Sequence, residues 1–79
     1  MSTQSSEQTR QQDPQERFVA MLVERISNDT YPSATMMDLV EKNMRPDQRQ
    51  QYLNVLLDKI ENDRFPSIDL MLRFQRLAG

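Results

Sequence analysis

The sequence predicts an all-α protein: four short helices, arranged as two similar helix-turn-helix hairpins, packed into a small bundle behind a polar tail. Two observations carry this expectation. The stretch Asn28-Asp29-Thr30-Tyr31-Pro32-Ser33 returns as Asn62-Asp63-Arg64-Phe65-Pro66-Ser67. Apolar residues recur at helical spacing before each copy of that stretch.

The self-similarity extends beyond the six residues. At an offset of 34, the difference between 62 and 28, Asp13/Asp47, Leu22/Leu56, Ile26/Ile60 and Met37/Met71 are identical. Phe18/Tyr52, Val19/Leu53, Val23/Leu57, Arg25/Lys59 and Tyr31/Phe65 keep their character. Two repeat units follow, 13–44 and 47–78. Residues 1–12, rich in Gln and Ser with no apolar side chain after Met1, read as a disordered tail. The helical domain is therefore 13–79.

Each unit opens on a helix-start signal. Asp13 precedes Pro14 and Glu16, and Asp47 precedes Gln50, a pattern in which the carboxylate caps an orphan N–H and the later side chain reaches back. Phe18, Val19, Met21, Leu22, Val23 and Ile26, with Tyr52, Leu53, Val55, Leu56, Leu57 and Ile60, then form the apolar stripes of two helices of about 14 residues. Asn28 and Asn62 are expected to close them in the left-handed conformation that Asn tolerates.

The repeated hexapeptide reads as a corner between helices. A proline keeps its predecessor out of the helical region, and Ser33 and Ser67 stand where the next helix needs a cap. Pro32 and Pro66 are set to touch Met37 and Met71 as hydrophobic staples. Tyr31 and Phe65 are expected to plug the elbow. The competing reading is a recognition loop whose Asn and Asp bind a ligand. Neither loop holds the glycine of a phosphate cradle or the alternating carboxylates of a calcium loop.

A 34-residue helical unit resembles the repeat of a tetratricopeptide array in period and helix pairing. The signature Trp, the Leu-Gly pair and the later Ala positions are absent, and two units are fewer than such an array normally has. Closure of the two hairpins on each other is the expectation instead.

Composition narrows the function. The chain of 79 residues has no Cys and no His. Disulfides are excluded, as are metal sites built on those side chains, and the usual neutral-pH base and strong nucleophile are missing. Carboxylate groups such as Asp29 with Asp38, or Asp58 with Glu61 and Asp63, lie among polar neighbours rather than in apolar runs that would tune them for catalysis. No enzyme, no cofactor and no metal are expected. A domain this small buries only about 60% of its unfolded surface, so self-association is the supplement still open to it.

Ten basic and twelve acidic residues interleave to a net charge of −2, which argues against nucleic acid and anionic membrane as partners. No run reaches the roughly 20 apolar residues of a span, and no signal-peptide pattern opens the chain. A cytoplasmic location is the expectation.

Two surfaces stand out for a protein partner or a homodimer. Met36, Val40 and Met44 form a stripe at four-residue spacing on a weakly amphipathic second helix. The last segment is apolar around much of its circumference, which points to a second covering surface at Leu72. Arg73 and Arg76 give it a basic end, suited to its helix dipole or, on the competing reading, to phosphates. The leading expectation is a non-enzymatic protein–protein interaction module, adaptor or regulator, that self-associates. The alternatives are a helix-turn-helix-like DNA-binding protein and a small structural or assembly subunit.

Overall fold

A computed structural model describes residues 13–79. The expected disordered tail, 1–12, lies outside the described residues. Four helices follow in order: α1 (Pro14–Asn28), α2 (Ala34–Asn43), α3 (Pro46–Asn62) and α4 (Ile68–Ala78). No strand occurs among the described residues.

Each start has a local cause. The Asp13 carboxylate accepts from the Glu16 N–H at 2.7 Å, with Pro14 opening α1. Ser33 Oγ accepts from the Met36 N–H and Ser67 Oγ from the Leu70 N–H, both at 3.3 Å, so the two corner serines cap α2 and α4. The third helix corrects the expectation. It begins at Pro46 rather than after Asp47, because proline presets the helical φ and needs no N–H partner there. Gln48 Oε1 accepts from the Arg45 N–H at 3.0 Å, and Asp47 has no capping role.

The helix ends differ from expectation as well. No described residue has a positive φ; α1 and α3 run through Asn28 and Asn62 and leave at Asp29 and Asp63 in extended conformation. Two bend residues, 30–31 and 64–65, then separate each extended exit from Pro32 and Pro66.

Helix α1 packs on α2, α3 packs on α4, and the hairpins meet through α1 and α3. Gln48 Nε2, at the start of α3, donates to the Glu16 carbonyl at the start of α1 at 2.9 Å. Lys59 Nζ, near the end of α3, donates to the Asp29 carbonyl just past the end of α1. The first helices of the two hairpins are therefore parallel. Both corners consequently lie at the same end of the bundle.

The core draws on all four helices: Val19, Leu22, Val23 and Ile26 of α1, Met37 and Val40 of α2, Tyr52 and Leu56 of α3, and Leu70 of α4. Each such aliphatic side chain contributes about 1.5–3 kcal/mol on full burial. Met21, from the apolar stripe of α1, and Met71, from the staple position of α4, are 50% and 38% exposed, while Met37 is buried.

Candidate interaction surface

The two corners form one site. Thr30, Tyr31, Pro32, Ala34 and Met37 from the first line a cavity of about 210 Å³ together with Asp63, Phe65, Ser67, Asp69 and Leu70 from the second. Pairing of α1 with α3 in parallel is what brings the repeated hexapeptides face to face. Tyr31 and Phe65 do not plug their elbows, as the sequence suggested. They are 86% and 83% exposed, since Ser capping and the Pro constraint already fix each corner and leave the ring nothing to fill.

Exposed apolar surface continues along α4. Ile68 opens the helix three residues after Phe65 and is 69% exposed, and Leu72, one turn on, is 57% exposed. Residues four apart share a helix face. Large rings turned outward add nothing to a core, so a cluster of them is informative where a single exposed Leu is not.

Of the partner-binding residues read from the sequence, only Leu72 offers open apolar surface. Val40 is completely buried, and Met36 and Met44 are half-buried against the same core, so the stripe they form faces inward rather than toward a partner.

Arg73 is the larger correction. Its residue is 8% exposed, and its guanidinium is held by three carboxylates. Nε donates to Asp69 Oδ2 at 2.8 Å, while Nη1 donates to Asp38 Oδ1 and to Glu41 Oε2, each at 2.9 Å. Tyr52 adds its hydroxyl to Glu41 Oε2 at 2.6 Å, and Arg76 Nη2 reaches Glu41 Oε1 at 2.7 Å. Burial by itself would lower the Arg73 pKa, but the hydrogen bonds it donates to Asp69, Glu41 and Asp38 outweigh it and hold the guanidinium charged. The Tyr52 hydroxyl is pushed well above the ordinary tyrosine value, first by burial and then by its bond to Glu41. This network ties α2, α3 and α4 together; its cations are spent on internal carboxylates.

The Asp69–Arg73 pair, four residues apart on one helix, was legible in the sequence. Its extension to Asp38 and Glu41 was not, because Arg73 corresponds to Leu39 and Glu41 to Gln75 at the repeat offset, so the network has no copy in the other unit. Among the described residues no group of three or more side chains is arranged to hold a metal ion, and no helix is long and apolar enough to cross a membrane. No family model, no curated protein and no solved structure matches the chain.

Proposed function

We propose that this protein is a small helical protein–protein interaction module, an adaptor or regulator without catalytic activity, that receives a partner at the twin corner. The observation that carries this reading is the pair Tyr31 and Phe65, both over four-fifths exposed on the rim of one cavity. The cavity has room for one large apolar side chain. Of the charged residues in its lining, Asp69 is already paired with Arg73, and Asp63 supplies the carboxylate for a partner, so the matching segment carries Leu or an aromatic beside one Lys or Arg. The missing His and Cys support a binding rather than a catalytic role. Against the DNA-binding reading, Arg73 and Arg76 are engaged by Glu41 and its neighbours rather than free for phosphates.

The test is selection from a displayed library of short random peptides on the immobilised full chain. Enrichment of sequences with an apolar side chain next to a cation is expected. Binding of the winning peptide should vanish with Tyr31→Ala and with Phe65→Ala while circular dichroism is unchanged. Peptides retained equally by both variants, or no enrichment at all, would remove the corner as the site.

A further inference from the structure

The chain carries an unfilled copy of an interface that it already makes. On the first hairpin Val19, Val23 and Val40 are 0%, 2% and 0% exposed, beneath the second hairpin. Their counterparts 34 positions on, Leu53, Leu57 and Phe74, line a groove of about 530 Å³ between α3 and α4. There Leu57 is 38% exposed and Phe74 half-buried, while Leu53 at the floor is buried like Val19. The groove has the apolar floor that the first hairpin has, without the helix on it.

The helix that would fit is present at the other end of the molecule. Helix α3 meets the first hairpin with Tyr52, completely buried, Val55, half-buried, and Lys59, which donates to the Asp29 carbonyl. The counterparts on α1 are Phe18, Met21 and Arg25. Phe18 is 39% and Met21 50% exposed, and Arg25 is exposed too, although their spacing of three and four places them on one helix face. One end of the bundle thus has a groove without a helix, and the opposite end has a helix without a groove.

We infer that a second copy of this chain lays the Phe18–Met21–Arg25 face of its α1 into the α3–α4 groove of the first, continuing the α1–α3 packing from one molecule to the next. The polar contacts agree in part. Arg25 of the incoming copy stands where Lys59 stands internally, and the Asp63 carbonyl where the Asp29 carbonyl does. Pro14 replaces Gln48 and has no N–H to offer, so the bond that Gln48 makes to the Glu16 carbonyl has no counterpart and the contact is weaker than the internal one. The two faces are different, so the association is head-to-tail and yields a chain or a ring of copies. It uses α1, α3 from its start through Leu57 to the Asp63 carbonyl beyond its end, and the last turns of α4, and it needs neither the Tyr31 nor the Phe65 ring.

Sedimentation velocity on the full chain, in a concentration series into the millimolar range, tests this. The unaltered protein is expected to associate, and Met21→Glu or Leu57→Glu to weaken that association by roughly tenfold or more. An equimolar mixture of the two variants should restore dimers and nothing larger, because each retains one sound face. Asn54→Arg, at an exposed position lining the groove, repeats the Leu57 arm should Leu57→Glu fail to fold by circular dichroism. A protein that stays monomeric throughout, association that survives Leu57→Glu and Asn54→Arg, or a mixture that remains monomeric would each overturn the inference. Phe65→Ala, which tests the corner, should leave the sedimentation unchanged.

Discussion

Arg73 Nη1 lies 2.9 Å from Glu41 Oε2, joining the last helix to the second across 32 residues of sequence, with the two side chains only 9% and 10% exposed. A pair this enclosed behaves differently from its neighbours at the rim. Removing the guanidinium takes the enclosed cation from the Glu41 carboxylate and leaves it only the Tyr52 hydroxyl and the exposed Arg76. Arg73→Met is therefore expected to cost about 3 kcal/mol. Arg76, 63% exposed, should cost less than about 1 kcal/mol when changed to Met. Urea denaturation of the two variants checks the difference, and equal costs would show that the network does not hold the hairpins together.

Tyr52 gives the bundle an alkaline limit. Its folded pKa is raised, so the unfolded chain loses the phenolic proton first, from about the ordinary value of 10.0 upward. The unfolded state then binds fewer protons than the folded one, and stability falls as pH rises above that value; below it the contribution is complete. With Tyr31→Phe leaving Tyr52 as the sole tyrosine, tyrosinate absorbance should appear together with loss of helix by circular dichroism. Tyrosinate forming in a chain that is still fully helical would contradict the buried hydroxyl.

Gln48 and Asp47 are neighbours with opposite expected costs. Gln48 caps the Arg45 N–H and donates to the Glu16 carbonyl from a residue 8% exposed, whereas Asp47 stands in solvent. Gln48→Ala should cost about 1–2 kcal/mol by removing both of its hydrogen bonds and leaving the Arg45 N–H without its cap. Asp47→Ala should stay within about 0.5 kcal/mol. Thermal melts of the two proteins suffice, and a larger loss at Asp47 would restore the capping role that the sequence suggested for it.

The corners separate cap from ring. Ser33→Ala and Ser67→Ala each remove a side-chain bond to an orphan N–H and should cost about 1 kcal/mol. Tyr31→Ala and Phe65→Ala remove rings that touch mostly water and should change stability by no more than about 0.5 kcal/mol. A large destabilisation by either aromatic change would return those rings to a packing role.

The helices, their corner and three of their four starts follow from local signals: Asp13 beside Pro14, Ser33 and Ser67 after prolines, apolar residues at helical spacing. These are interactions within a turn or two of the chain, and sequence spacing measures them directly. The start of α3 departs from the repeat: Asp47 matches Asp13 at the offset, but Pro46, one residue earlier, presets the helical φ and opens the helix. Of the candidate site, the recurrence of the two corners was visible, but their meeting at one cavity was not. That meeting depends on α1 and α3 lying parallel, a relation between residues more than thirty positions apart.

Which faces are covered is likewise a tertiary matter. Val40 and Phe74 are counterparts with similar apolar character, and so are Met37 and Met71; one of each pair is buried and the other is not. A repeat makes equivalent positions look alike, but burial depends on what stands beside them, and a two-unit bundle gives its first and second units different neighbours. The sequence by itself determined four helices, two corners and a chain without Cys or His. The tertiary structure alone decided that Arg73 faces Glu41 inside, that Tyr31 and Phe65 face outward together, and that one hairpin is covered while the other keeps an open groove, because side-chain environment is set by the packing partner and not by the residue's place in its own helix.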